Sequence, residues 1–204
     1  MKREILFPTP MYWRDVPNAK ELNQYLFKHI KAWYKKDIKA GRKTGEFKTN
    51  SGFGWHSSTD MNDKKEYQPL IKELFMMAEY CNKDYGIQPK LGLGNMWCNI
   101  NPSYSYNKTH THPNSLWSGV YYVKALPNSG HLKIEDPRSI AAMSRPRQKE
   151  GPTPSRLWRE THFDPKPGRL IMFPAWLIHC VDPNNSNDIR ISISFNFMQR
   201  CFNV

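Results

Sequence analysis

The chain has 204 residues, of which 39% are apolar and 13% aromatic, and its formal net charge is +12. This length and composition predict a single folded domain spanning residues 1–204 and argue against a disordered chain. No run reaches the roughly 18 to 20 apolar residues that a membrane helix needs, and no long apolar leader stands at the start. We therefore expect no membrane association.

The cysteines and the charge distribution suggest where the protein works and what it meets. Cys81, Cys98, Cys180 and Cys201 lack C-x-x-C spacing, which argues against a thiolate zinc site and fits free thiols in a reducing cytoplasm. Residues 1–50 hold 12 Lys and Arg against 5 Asp and Glu, and residues 137–169 hold 8 against 3. These regions are either solvated basic surfaces or surfaces that attract an anionic partner such as nucleic acid.

The predicted elements begin with helices. Apolar residues recur at helical spacing over about 18–36 and again over about 66–83, with a Gly- and Lys-rich loop at 39–52 between them. From about residue 91, short β-branched or aromatic runs alternate with Pro, Asn and Gly, as in consecutive strands. Helices followed by strands predict an α+β domain, with a helical N-terminal part at about 1–88 and a β core at about 91–200. The proline-rich stretch 137–167 is predicted to be a long loop.

Three motifs in the β part suggest one site. His110 and His112 belong to the segment T-H-T-H-P, His179 lies near a strand end, and Arg190 and Ser192 open the last strand. Residues i and i+2 of an extended chain share a face, so an H-x-[D/E] pair at a strand end supplies two neighbouring metal ligands and a distant His supplies the third. Here the second position of the pair is His112. Arg190 and Ser192 likewise share a face and suit one carboxylate, although Arg190 could instead pair with Asp182 or Asp188.

This pattern resembles the 2-oxoglutarate/Fe(II)-dependent dioxygenase superfamily. The resemblance covers roughly residues 50–198 and rests on these segments: Asn50-Ser51, Gly54-Trp55, His110 to Pro113, Ser118 to Tyr122, Ile134 to Arg138, Phe173-Pro174, His179, and Arg190 to Asn196. It implies a double-stranded β-helix core of the jelly-roll or cupin type, supported by the N-terminal helices. It also implies Fe(II) and 2-oxoglutarate as cofactors, and hydroxylation coupled to decarboxylation of 2-oxoglutarate to succinate and CO2.

The resemblance assigns roles to individual residues but departs from the family at one position. His110 and His179 are the implied metal ligands, and Arg190 with Ser192 is the implied anchor for the far carboxylate of 2-oxoglutarate. The usual H-x-D carboxylate is here His112, which is either a third ligand or a residue beside the ligands; Asp136 is the weaker candidate for a substitute carboxylate. One of Tyr121 and Tyr122 is expected to face the co-substrate, and alternation along the strand does not say which.

Three other functions compete with that of an oxygenase, most simply a hydroxylase. A cupin-like module that binds a metal or small acid without turnover would explain the missing carboxylate. The basic excess suggests a nucleic-acid-associated protein, but no recognised nucleic-acid-binding motif is present. A zinc hydrolase is disfavoured because the chain lacks H-E-x-x-H. The prime substrate is not identified by the sequence, and the remaining histidines, at 29, 56, 131 and 162, are expected at the surface.

Overall fold

The computed structural model describes residues 6–41, 54–87, 90–138 and 158–199, together with the single positions 2, 4, 140 and 143. The elements are β1 (Tyr12–Asp15), α1 (Ala19–Lys39), β2 (Trp55–His56), two 3-10 turns (Met61–Asp63 and Lys65–Tyr67), α2 (Gln68–Asp84), β3 (Leu91–Asn101), β4 (Asn107–His110), β5 (Trp117–Lys124), β6 (Leu132–Glu135), β7 (Glu160–Phe163), β8 (Arg169–Pro174), β9 (His179–Val181) and β10 (Arg190–Gln199).

Both helices lie close to the predicted positions. α1 buries Leu26 and Ile30, and α2 has Pro69 in its first turn, where the missing backbone N–H carries no penalty. The buried side chains of the two helices form one cluster with buried residues on one face of the larger sheet. The helices therefore cover one face of that sheet.

The strands form two antiparallel sheets. A major sheet has the order β1-β8-β5-β10-β3-β2, and a minor sheet has the order β4-β9-β6-β7. The N-terminal part was predicted as helical, yet β1 and β2 form the two edges of the major sheet. With lengths of 4 and 2 residues, these strands are too short to show a readable alternation.

β10 separates the core from the site because its side chains alternate between two faces. Ile191, Ile193, Phe195 and Phe197 belong to the core beneath the helices. The intervening residues, Arg190, Ser192, Ser194 and Asn196, all line a cavity on the opposite face. A polar floor under the minor sheet follows directly from period-two alternation.

The loop predicted at 137–167 is in part a strand. Glu160–Phe163 forms β7, which pairs with β6. With four residues, of which only Phe163 is strongly apolar, this strand gives too short a pattern to be read from the sequence. Most of this stretch, like Asn50-Ser51 and Cys201, lies outside the described residues. In the part of the chain that the structure describes, no helix is long and apolar enough to cross a membrane.

Candidate active site

Three imidazoles converge between the sheets. His110 ends β4, His112 follows two residues later, and His179 begins β9. One ligand nitrogen from each lies within 4.8 Å of the other two, and no other such group of potential metal ligands occurs among the described residues. Because His110 and His179 are register partners on paired strands, the sheet itself brings them together.

Backbone hydrogen bonds orient two of the rings. His110 Nδ1 lies 2.7 Å from the carbonyl oxygen of Lys108, and His179 Nδ1 lies 2.8 Å from that of Leu177. A carbonyl only accepts, so each Nδ1 carries the proton and each Nε2 is left with a lone pair. This tautomer is the one that a metal-binding histidine needs.

Burial keeps two of the imidazoles neutral. Burial, reinforced by nearby His110, lowers the pKa of His112 to about 4. Burial, reinforced by His110 and His112, lowers the pKa of His179 to about 3. A neutral imidazole is ready to ligate, so His112 and His179 can bind a divalent cation at neutral pH without first losing a proton.

Arg190 is a buried cation at one end of the cavity. Its side chain is 1% exposed, and Nη1 donates to the carbonyl oxygens of Ser129 and, at 3.4 Å, of Gly130. Asp188 pairs with Lys124, and Asp182 lies beside His131. Neither carboxylate forms an ion pair with Arg190, although the charge of Asp182 acts on the guanidinium. Burial lowers the pKa of Arg190. A buried guanidinium without a carboxylate partner is costly, and an anionic ligand would supply that partner.

The two tyrosines have different surroundings. Tyr122 is the register partner of Ser192, and both residues line the cavity. Tyr121 faces away, and its hydroxyl donates to Asn23 Oδ1 of α1 at 2.7 Å. The expectation for Tyr121 as a co-substrate contact is therefore corrected, since it lies in the core beneath the helices. Burial raises the pKa of Tyr122 to about 12, which keeps it a neutral hydrogen-bond donor.

Asp136 was considered as a ligand and lies outside the cluster, whereas His56 was not expected near the site and lines its cavity. Asp136 makes a two-point ion pair with Arg138 and is not part of the metal-competent cluster, so it is no substitute ligand. His56, expected at the surface, lines the cavity and stacks on Trp97 at 5.6 Å. Its position opposite Asn99 in the β2–β3 pair was hidden from sequence reasoning because β2 has only two residues.

The cavity has a volume of about 350 Å³ and joins Arg190 to the three imidazoles. Its floor also carries asparagines at 95, 99 and 196, which share a face because they lie at alternate positions of β3 and β10. Period-two alternation places Asn196 on the same face as Arg190 and Ser192, but it does not align β3 with β10.

Comparison with known protein families gives one match. Residues 95–196, half of the chain, match the family described as "Putative 2OG-Fe(II) oxygenase". A comparison with curated protein sequences gives no match.

Solved structures agree with the fold. A Pseudomonas putida prolyl-4-hydroxylase is 14% identical, with a TM-score of 0.61 over 95% of this chain and 94% of that one. A Trichoplax adhaerens prolyl hydroxylase is 12% identical, with a TM-score of 0.63 over 93% and 83%. The epimerase SnoN, in complex with Fe3+ and α-ketoglutarate, is 13% identical, with a TM-score of 0.65 over 94% and 79%. The two sheets are thus the double-stranded β-helix that the sequence predicted.

Proposed function

The chain belongs to the 2-oxoglutarate- and Fe(II)-dependent oxygenase family, and from that premise we propose that His110, His112 and His179 hold its iron and that Arg190 holds 2-oxoglutarate. Bound together, iron and 2-oxoglutarate supply an oxidation of substrate coupled to decarboxylation of 2-oxoglutarate to succinate and CO2. We propose that the substrate is hydroxylated.

One observation carries the assignment: three imidazoles and a buried guanidinium share one cavity. A 2-oxo acid binds a metal through its keto-acid end and leaves a carboxylate at the other end. Arg190 would bind that carboxylate through two parallel N–H donors. Its guanidinium forms no ion pair with a carboxylate among the described residues. A metal-binding module without turnover would not need this second, distant anion site.

Ser192 and Tyr122 are proposed to complete the carboxylate site. Ser192 lies two residues from Arg190 on the same face of β10, and Tyr122 lies beside it on β5. Both can donate a hydroxyl hydrogen bond to one oxygen of the carboxylate. Their near-complete burial also excludes water, which strengthens each of these polar contacts.

His112 is proposed as the third ligand rather than a bystander. Its ring centroid lies 4.9 Å from that of His110 and 5.1 Å from that of His179. No carboxylate belongs to the cluster among the residues that the structure describes, so a ligand set of two imidazoles and one carboxylate is not available from them. Three nitrogen ligands leave the remaining positions for co-substrate and oxygen.

We propose that the protein works in the cytoplasm. Cys81, Cys98 and Cys180 are free and buried, which is the state expected of thiols in a reducing cytoplasm.

The test is anaerobic calorimetry, with Fe(II) titrated first and 2-oxoglutarate second. Wild-type protein should bind both. His110→Ala and His179→Ala should lose iron and with it tight 2-oxoglutarate binding, whereas Arg190→Ala should keep iron and bind 2-oxoglutarate more weakly. His162→Ala is the matched control, because His162 lies on β7 and pairs with Glu160 rather than with the cluster. Full iron binding by both His110→Ala and His179→Ala would refute the assignment.

A further inference from the structure

The floor of the cavity is longer than the part that 2-oxoglutarate needs. Arg190 and Asn196 are six residues apart on β10, which corresponds to about 20 Å of extended chain. Trp97, the register partner of Ser194, lies 6.0 Å from His112 between ring centroids, so the imidazoles stand over the half of the floor remote from Arg190. A five-carbon acid reaching from Arg190 to the imidazoles leaves the Asn95–Asn196 row uncovered.

That row ends in an amide donor. Ser118 Oγ donates to Asn196 Oδ1 at 2.6 Å, and Asn196 Nδ2 donates to Asn95 Oδ1 at 2.8 Å. Asn95 therefore accepts through its oxygen, and its Nδ2–H2 group is the free end of the chain, with no acceptor among the described residues. Linked hydrogen bonds polarise one another, so this terminal amide is a stronger donor than an isolated one. It lines the cavity and is available to donate to a ligand.

With Fe(II) and 2-oxoglutarate bound, the charges in the cavity would not sum to zero. Among the described residues that line the cavity, Arg190 is the only Lys, Arg, Asp or Glu. Inside the cavity, a divalent iron and one guanidinium would face only the two carboxylates of 2-oxoglutarate, because the third ligand is the neutral His112 where an H-x-D site has a carboxylate. The Asp182 carboxylate acts on Arg190 from outside the cavity lining. A positive charge is left over in a site where it is poorly screened. The net charge of +12 adds a field of the same sign around it.

We propose that the cavity beside Asn95 and Trp97 binds the prime substrate, and that this substrate is a small organic acid whose carboxylate accepts from the Asn95 amide and offsets the surplus charge. The inference rests on the proposed function, since the surplus exists only with a three-histidine iron site. The apolar wall of Trp97, Val120 and Phe173 would contact the carbon skeleton. A cationic substrate would add to the surplus charge and is disfavoured.

The test uses butyrate and butyramide, which have the same shape and differ in charge. Each is titrated by calorimetry, without oxygen, into the full chain loaded with Fe(II) and saturated with 2-oxoglutarate. We expect butyrate to bind about tenfold or more tightly than butyramide, the difference that one charge-assisted contact supplies. Equal affinities, or no heat from butyrate, would overturn the proposal.

Two variants locate the contact. Asn95→Asp keeps the acceptor for Asn196 but places a negative charge beside the carboxylate, so butyrate binding should fall at least about tenfold while butyramide binding persists. Asn187→Asp, the same change at an exposed loop position, is the control and should leave the butyrate affinity as it is. His112→Asp removes the surplus charge and should also weaken butyrate. Unchanged butyrate affinity in Asn95→Asp would overturn the placement.

The same titrations distinguish an organic acid from an inorganic anion, and they distinguish failure of this inference from failure of the proposed function. If chloride competes with butyrate and binds more tightly than butyrate does, the site is one for an inorganic anion, and the proposal of an organic acid is overturned. If wild-type protein binds neither iron nor 2-oxoglutarate in the preceding titrations, the proposed function fails. If it binds both and then does not prefer butyrate, only this inference fails.

Discussion

His110 and His179 are directly opposite each other on β4 and β9, with ring centroids 4.3 Å apart. The distance between these two proposed ligands is therefore set by the pairing of two strands of the minor sheet rather than by a loop. Rigid strands hold ligands more precisely than loops do, because their side-chain directions are fixed by the hydrogen-bonded ladder. His112 then completes the cluster from the turn that follows β4, held by its backbone N–H bond of 3.0 Å to the carbonyl oxygen of Ala175.

Replacing Arg190 tests the co-substrate anchor. Loss of a charge-assisted contact of about 1.5 to 3 kcal/mol should weaken 2-oxoglutarate binding about ten- to hundredfold in Arg190→Ala. Arg190→Lys should recover only part of the affinity, because an ammonium cannot present two parallel N–H donors. Calorimetry with Fe(II) present measures both variants. The anchor would be misassigned if Arg190→Ala bound 2-oxoglutarate as wild type does.

Gly130 is expected to position that anchor. It has φ +92, and a Cβ there would meet the Asp182 carbonyl oxygen and lie 2.6 Å from Arg190 Nη1. Gly130→Ala should therefore displace the guanidinium and weaken 2-oxoglutarate binding about tenfold or more, with iron affinity retained.

The control for this substitution is Gly86→Ala. Gly86 has φ +70, and nothing lies within 4 Å of the position that an alanine methyl group would take, so this variant reproduces the backbone strain without the clash. An equal loss of 2-oxoglutarate affinity in both variants would mean that strain, not the displacement of Arg190, is the cause.

The sequence predicted that His110, His112, His179 and Arg190 belong to one site, and the structure brings these side chains to one cavity. His110, His112, His179 and Arg190 could be recognised because ligand chemistry and strand alternation both restrict residue type and spacing. Alternation could not choose between Tyr121 and Tyr122, because the strand is buried on both faces and neither tyrosine stands out as the polar side. The choice depends on which face α1 covers, which is a tertiary fact.

The missed residues share a different cause. His56 reaches the cavity through a two-residue strand whose register with β3 has no local signal. Asn95 and Asn196 belong to long, regular strands, yet an isolated asparagine is typical of a turn. Their role is visible only when both strands are aligned and the amides become neighbours.

His112 variants distinguish a ligand from a supporting residue. Loss of a residue that only supports ligands weakens metal binding about 10- to 100-fold, so a larger loss in His112→Ala would identify a ligand. We expect that larger loss, and we expect His112→Asp to retain iron because an aspartate can take the same position. Anaerobic Fe(II) affinities of the three proteins give the answer. Wild-type affinity in His112→Ala would contradict the three-histidine site.

The buried imidazoles should make the metal-free protein sensitive to acid. In the unfolded chain histidine has a pKa of about 6.5, whereas burial holds His179 and His112 to pKa values of about 3 and about 4 in the folded chain. Between these limits the unfolded chain binds more protons, so the free energy of unfolding falls as the pH falls from about 6.5 towards about 4. Thermal melts in the presence of a chelator should show this loss, and His179→Gln should show less of it. Parallel pH profiles for the two proteins would contradict the burial argument.

The most direct measurement of the central claim is succinate release from 2-oxoglutarate by the purified chain with Fe(II) in air. Turnover without the prime substrate is expected to be slow, so succinate is followed over hours at high protein concentration. Wild type and His162→Ala should each release one CO2 for every succinate. Neither product should form without oxygen, with a chelator, or in His179→Ala. If wild-type protein binds Fe(II) and 2-oxoglutarate yet releases no more succinate than His179→Ala, the site binds its cofactors without turning over, and the account of it as an oxygenase centre is contradicted.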